Sequence, residues 1–420
     1  MWRHLHPNVR VRIVNSFLAR MVGGAVFPFM AIYFTDHLGP ALAGGLLAAL
    51  VGVQFVAGLY GGGLADAWGR RRTLLAGEWL KLAAFLVLLA ANVVTPLPWV
   101  TFAALALINV SSGLINPAAE AMLVDVSTPD TRTFMYAVNY WAINASLLIG
   151  TLLGGWLYRD HFPTLLAGLC LMSCLTLFLA WSRMTETLGG PRPTRQEVRQ
   201  RMGLAPLARS YAQVVGDRPF LLFLVGFVLL MTVEFGRSNF IPVHLARFFP
   251  PQTALGVQLS GVQAMSVLTA VNTVMIVAFT VPVSTWVKGR DLTRLMAVGF
   301  ALFAAGFAVL NASLSLPVLI AASILLSVGE LLYVPTRQTL LADLVPEGRR
   351  GAYLAVSGQT FTVGKWLAAL GVPLGASVGG TGMALVTLTL GALSILLSLA
   401  GLRGWGDGQT RAQPQPQAND

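Results

Sequence analysis

Gly62-Gly63-Leu64-Ala65-Asp66-Ala67-Trp68-Gly69-Arg70-Arg71-Arg72 closes one long apolar run and opens another. The runs on either side, roughly 43–66 and 73–92, each match the ~20 residues needed to cross a hydrocarbon core. Gly62 is expected to admit a neighbouring helix closely, and Gly69 to make the tight turn between the two runs. The arginines Arg70, Arg71 and Arg72 suit a turn at the membrane face where basic residues accumulate. Asp66 stands where it can meet both the positive N-terminal end of a partner helix and a loop arginine. The stretch therefore reads as the charged bend of a membrane-embedded helical hairpin.

The rest of the chain extends this pattern. Of 420 residues, 55% are hydrophobic and 11% charged, against about 25% charged in a soluble domain. So few charges cannot cover a water-facing surface, which argues against a soluble enzyme, a nucleic-acid-binding domain and a disordered protein. Twelve apolar runs are long enough to span, at roughly 13–36, 43–66, 73–92, 97–121, 134–158, 162–182, 219–245, 256–287, 293–311, 316–343, 352–377 and 382–402. Residues 183–218 hold Pro191, Pro193, Pro206 and seven arginines, and read as a linker with a short surface helix near 195–213. The expected organisation is a six-helix half at 1–182, the linker at 183–218, a second half at 219–402 and a polar, disordered tail at 403–420. The N-terminus lacks a short apolar core with a cleavage site, so the first span is expected to serve as an uncleaved insertion signal.

The net charge of +11 acquires a meaning on this topology. With the N-terminus inside, 21 of the 28 Lys and Arg fall on one face, two (Arg159 and Arg247) on the other, and five within spans. That asymmetry orients both termini to the cytoplasm and removes the reason to invoke a nucleic-acid partner. Cys170 and Cys174 read as two buried thiols, and the five histidines are scattered, so neither a metal site nor a cofactor is expected. No phosphate-binding loop or nucleophile elbow occurs, which disfavours an ATP-driven pump and an enzyme.

The chain also repeats. Pro117, Asp125 and Arg132 return 218 positions later as Pro335, Asp343 and Arg350, and Gly69-Arg70 returns at an offset of 220 as Gly289-Arg290. Six spans, a basic linker and six more in the same orientation form a parallel repeat. With the stretch quoted above, which resembles the loop signature G-x-L-A-D-R-x-G-R-R, the chain resembles the major facilitator superfamily over nearly its whole length. Ala67 stands where that signature carries a basic residue. The resemblance implies an all-α, twelve-helix membrane fold in two pseudo-symmetric halves around a central cavity. It implies that Asp66 contacts the start of the eleventh span and latches one side shut. It also implies a gating set of Gly62, Asp66, Gly69, Arg70, Arg71, Asp125, Arg132, Asp343 and Arg350. Gly150-Thr151-Leu152-Leu153-Gly154-Gly155 resembles the helix-5 signature of drug/proton exchangers, with Thr151 in place of Pro, and Gly150, Gly154 and Gly155 suit tight packing there. Asn139-Tyr140-Trp141-Ala142-Ile143-Asn144 is similar to the fifth span of multidrug exporters. The arginine signature of the fourth span is not recognisable.

Ionisable groups inside a membrane are costly and mark function. Glu330 lies midway along the tenth span and Glu234 near the middle of the seventh. In low dielectric a carboxylate exchanges its proton nearer neutral pH. Arg237 is helically adjacent to Glu234 and can form a static pair. Arg337, or Lys365 from the eleventh span, are candidate partners for Glu330. Glu78 and Lys81 read as a structural pair. Arg20 either points into the cavity or reaches the interface. The aromatic and Met residues Phe27, Phe29, Tyr33, Tyr140, Trp141, Phe235, Met265, Tyr333, Phe361 and Trp366 are candidates for an apolar lining. These residues, with the resemblance, lead to the expectation of a monomeric, proton-coupled antiporter of the cytoplasmic (inner) membrane. It would export lipophilic, often cationic, small molecules, with a role in antibiotic resistance. Its partners would be the substrate, protons and membrane lipid. The proton-coupling and substrate set is Glu234, Glu330, Arg237, Lys365, Arg20, Asn139, Tyr140, Asn144 and Tyr333. An alternative cargo is a sugar, amphipathic metabolite or lysolipid, for which Asn15, Asn139, Asn144, Gln263, Asn272 and Gln359 offer amides.

Overall fold

The computed structural model describes residues 7–126, 129–188, 204–254, 256–346 and 350–412; of 7–9, 123–124, 126, 129–141, 207, 210, 213, 350–351 and 405–412 only the backbone is described. The first half comprises α1 (Pro7–Leu38), α2 (Pro40–Trp68), α3 (Arg70–Ala90), α4 (Pro98–Val126), α5 (Pro129–Leu157) and α6 (Phe162–Arg183). A short helix, α7 (Leu204–Val214), follows in the linker and packs on α13 (Arg350–Ala369). The second half comprises α8 (Arg218–Phe235), α9 (Phe240–Phe248), α10 (Gly261–Val287), α11 (Leu292–Ala312), α12 (Leu316–Leu344), α13 and α14 (Gly371–Ala412).

The turns follow from local chemistry. Gly69 (φ 102°) and Gly289 (φ 75°), which the repeat pairs, both take the left-handed backbone that glycine adopts without strain. Asp217 and Asp291 cap α8 and α11 by accepting from the amides of Phe220 and Arg294. Ser260 and Gln263 form a reciprocal capping box that fixes the start of α10.

Several expected boundaries are corrected. The seventh span is broken: a 3₁₀ turn, Gly236–Ser238, separates α8 from α9. Pro242 has no N–H to offer the Ser238 carbonyl, and Asn239 Nδ2 donates instead to the Phe235 carbonyl at 2.7 Å. Residues 257–259, placed in the eighth span from sequence, form strand β2 (Val257–Leu259), paired antiparallel with β1 (Gln252–Ala254). The eleventh span passes Leu370, where Pro373 withholds an amide from the Ala369 carbonyl. It ends at Gly379 (φ 70°), where the backbone of α14 leaves helical geometry. Residues 403–412, expected to be disordered, continue α14 as helix. Cys170 is buried as expected, but Cys174, one turn along the same helix, is exposed.

Ten helices are long and apolar enough to cross a membrane among the described residues. The fifth and eleventh spans complete the twelve. The apolar window of α5 is confined to Ala142–Leu157, and α13 carries Ser357, Gln359, Thr360 and Lys365. In the first half α1 packs on α5 and α6, α4 on α2 and α3, and α3 on α6. In the second, α8 packs on α13 and α14, α12 on α10 and α11, and α11 on α14. Counted span by span, these are the same five pairings. The halves meet through α5 against α10 and α2 against α13, two contacts that the same repeat exchanges.

The helix ends form two faces. One, the arginine-rich end, holds the turns at Gly69 and Gly289. The other, the far end, holds those at Gly39 and Gly256. Contacts between halves cluster at the far end. Ser266 Oγ on α10 donates to the Thr151 carbonyl on α5 at 2.8 Å. Gly44 on α2 lies against Ala369 and Pro373. Arg247 donates to the Thr35 carbonyl at 3.1 Å and to Asp36 at 3.3 Å. Phe29, Ala31 and Ile32 of α1 pack with Val243 of α9 and Val262 of α10 in one buried apolar cluster.

Candidate functional site

Between the halves lies a cavity of about 610 Å³, closed at the far end by these contacts. Its wall starts at Arg12 and Asn15 near the beginning of α1 and runs to Phe27, Thr151 and Ser238. A volume of this order suits a drug-sized ligand.

The broken seventh span sets up one side. Glu234 ends the regular part of α8 and Arg237 sits in the 3₁₀ turn, so both project into the cavity. They are loosely paired, at 3.9 Å. Arg237 Nη1 donates to Asn272 Oδ1 on α10 at 2.6 Å. Asn272 Nδ2 in turn donates to Ser327 Oγ at 2.9 Å and to Glu330 Oε2 on α12 at 3.0 Å. One amide thus joins the arginine to the second carboxylate. Glu234 Oε2 is buried without a donor. The sequence pairings for Glu330 are corrected here. Lys365 Nζ rests 5.2 Å from the centre of the Phe235 ring. Arg337 Cζ lies 3.2 Å from the centre of the Phe227 ring. An aromatic face, rather than a carboxylate, receives each cation. Tyr333 is buried between Phe300 and Phe303, with ring centres 5.3 and 5.2 Å away, and is not on the cavity wall.

A second polar cluster faces it from the first half. Lys81 Nζ is 2.5 Å from Glu78 Oε2 and donates to Thr176 Oγ1 at 3.0 Å. Thr176 Oγ1 donates to Glu78 at 2.8 Å, and Asn15 Nδ2 donates to the Thr176 carbonyl at 3.1 Å. Arg12, counted as a loop residue from sequence, joins Arg20 on the wall, because α1 begins at Pro7. Asn144 lines the cavity as well, with Phe27, Phe235 and Met265. Phe29 and Tyr33 are buried between helices, and Phe361 and Trp366 are exposed. Gln263 is consumed in the cap of α10. The side chains of Arg132, Asn139, Tyr140, Trp141 and Arg350 lie outside the described residues.

At the arginine-rich end, Arg70 pairs with Asp125 and donates to the Ala121 carbonyl at 2.9 Å. Arg71 donates to the carbonyls of Met184 and Trp181, both at 2.7 Å. Glu186, which sequence reading passed over, accepts from the amides of Arg70 (3.0 Å) and Arg71 (3.2 Å) at the start of α3. Its only signal was being one of few acids in an arginine-rich linker. Asp66 and Asp343 make no ion pair or hydrogen bond among the described residues. The expected contact of Asp66 is with the start of the eleventh span, whose side chains lie outside the described residues; Gly44 of α2 meets Ala369 of α13 at the far end. Close approach of α2 to α4 is carried by Gly61 against Gly113 rather than by Gly62, whose nearest neighbour is the Pro117 Cβ, 3.9 Å from where its own would lie. On α5, Gly150 and Gly154 abut α1, while Gly155 abuts Ser266 across the halves.

Comparison with known proteins places this geometry. Residues 13–371 match the family model described as Major Facilitator Superfamily. A Na(+), Li(+), K(+)/H(+) antiporter of Planococcus maritimus is 28% identical over 386 residues, covering 89% of this chain and 90% of the relative. Multidrug resistance protein MdtH of Edwardsiella ictaluri is 25% identical over 375 residues, covering 88% and 84%. A crystal structure of peptide transporter POT in complex with sulfate superposes with a TM-score of 0.74 at 16% identity, covering 96% and 95% of the two chains.

Proposed function

The chain belongs to the major facilitator superfamily of multi-pass membrane transporters, and from that premise we propose that it exchanges protons for lipophilic, often cationic, small molecules across the cytoplasmic membrane. The observation that carries this reading is the chain Glu234–Arg237–Asn272–Glu330 on the wall of a drug-sized cavity. It contains two carboxylates, one with an oxygen that lacks a donor. A proton on Glu234 or Glu330 and a cationic cargo compete for the same negative charge, which is the minimal requirement for exchange. The positive-inside rule makes the arginine-rich end cytoplasmic. The closed far end then gives a cavity that loads from the cytoplasm. After the halves rock, protons from outside neutralise the two acids and release the cargo; deprotonation inside restores the site.

Glu330→Gln removes a titratable group while keeping its shape and its acceptor for Asn272. Purified and reconstituted, this variant is expected to lose pH-gradient-driven dye efflux while eluting as a folded protein. Undiminished gradient-driven efflux would sink the reading. The name of the Planococcus relative supports a second cargo, monovalent metal cations. The same vesicles loaded with Na⁺, Li⁺ or K⁺ in place of dye separate the two. Neutral hydroxylated cargo has less support, since Gln263 is spent on capping.

A further inference from the structure

The charges on the cavity wall offer more than a plain cation would use. Arg12, Arg20, Lys81, Arg237 and Lys365 face Glu78, Glu234 and Glu330 there, five cations against three carboxylates. Each of those carboxylates already has a partner: Lys81 for Glu78, Arg237 for Glu234 and Asn272 for Glu330. Arg12 lies in Coulombic range of Glu78 and of Glu120, an acid one turn beyond Asn116 on α4. Arg20 and Lys365 are left. They come from α1 and α13, in opposite halves, and both line the same cavity. Glu120 is in Coulombic range of Arg20. Among the described residues no carboxylate is within ion-pair distance of either cation. Lys365 is steadied on the ring of Phe235, next in sequence to Glu234. An anionic group between Arg20 and Lys365 would give each cation a charge-assisted hydrogen bond. A cargo with positive charge alone would add a sixth cation and leave Lys365 with no carboxylate and Arg20 with Glu120 alone.

We propose that Arg20 and Lys365 form an anion-binding end of the cavity and that the preferred cargo is zwitterionic. Its carboxylate lies between Arg20 and Lys365, its apolar body along Phe27, Phe235 and Met265, and its cationic group at Glu234 and Glu330. This deepens the exporter reading of the same site and rests on it.

A matched dye pair tests the assignment. Rhodamine 19 carries a free carboxylate and is zwitterionic at neutral pH; its ethyl ester, rhodamine 6G, has the same ring system and only the positive charge. Both are titrated by fluorescence anisotropy against the full-length protein in detergent. The free acid is expected to bind roughly tenfold more tightly than the ester, or better. In the double variant Arg20→Gln/Lys365→Gln that ratio is expected to fall to about one, while Arg20→Lys retains it. Because both dyes are read on one preparation, an unfolded fraction does not move the ratio. Equal or tighter binding of the ester by the unmodified protein, or an unchanged ratio in the double variant, overturns the proposal. Reconstitution with an imposed pH gradient addresses coupling separately. Dyes bound with the expected ratio but not driven by the gradient would refute proton exchange and leave the roles of Arg20 and Lys365 standing.

Discussion

Asn272 shows how much one neutral side chain can organise. Its carboxamide oxygen takes a hydrogen bond from Arg237 and its nitrogen supplies one to Glu330, over sequence separations of 35 and 58. Asn272→Leu removes both. With hydrogen bonds to charged groups contributing about 1.5–3 kcal/mol each, at least a tenfold fall in gradient-driven efflux is expected, read in inside-out vesicles. Glu234 and Glu330 were legible in the sequence because a carboxylate in an apolar run has few structural excuses. Asn272 was read only as one of six amides for neutral cargo, not as a bridge, since an amide in a spanning helix costs less than a charge and its partners cannot be read from sequence. Pair partners were equally hard to read: aromatic faces took Lys365 and Arg337. Magnitudes separate two of the ion pairs outside this network. Lys81→Ala would strand Glu78 in a buried cluster at a cost of about 3–5 kcal/mol, visible as a large drop in Tm. Asp36→Asn removes a half-exposed partner of Arg247, worth about 1 kcal/mol or less, and should leave Tm nearly unchanged.

At the scale of elements, span positions and glycine turns could be read directly, because length, apolarity and positive-φ glycines are local properties. The break in the seventh span was hidden. Its apolar pattern runs on through Phe240 and Ile241, and the physical cause is a backbone amide missing at Pro242, noticeable only once the register of hydrogen bonds is known. The hairpin of β1 and β2 was likewise absorbed into the apolar run that follows it. Gly155 offers the sharpest test of helix packing. A leucine there collides with Ser266 and Val262 on α10, and such overpacking costs about 1–3 kcal/mol. Since that contact belongs only to the form closed at the far end, Gly155→Leu should shift the population toward far-end opening by roughly 5- to 150-fold. Spin-label distances between α5 and α10 would lengthen; unchanged distances would show that the contact does not hold the halves together.

The whole molecule is two copies of one packing scheme joined at one end. The repeat in sequence announced the copies, but not which end is shut, because both arrangements use the same residues. Asp66 expresses this. It has no partner among the described residues while the arginine-rich end is open, so Asp66→Asn should leave the Tm of this form within about 0.5 kcal/mol of equivalent stability. The same change should hinder closure at that end, measured as spin-label distances across α2 and α13 that fail to shorten when the pH gradient is applied. Shortening equal to the unmodified protein would remove Asp66 from gating. The split seventh span has a mechanical consequence. Its first segment, α8, is bound to α13 and α14, whereas α9 packs both on α10 and α14 of its own half and, through Val243, on α1 of the opposite half. When the halves part at the far end, only the second piece loses a contact with α1, and the intervening turn is where that change is expected to be taken up. Glu234 lies at the end of the first piece and Arg237 in the turn, so the spacing of these two charges is expected to follow the opening of the far end.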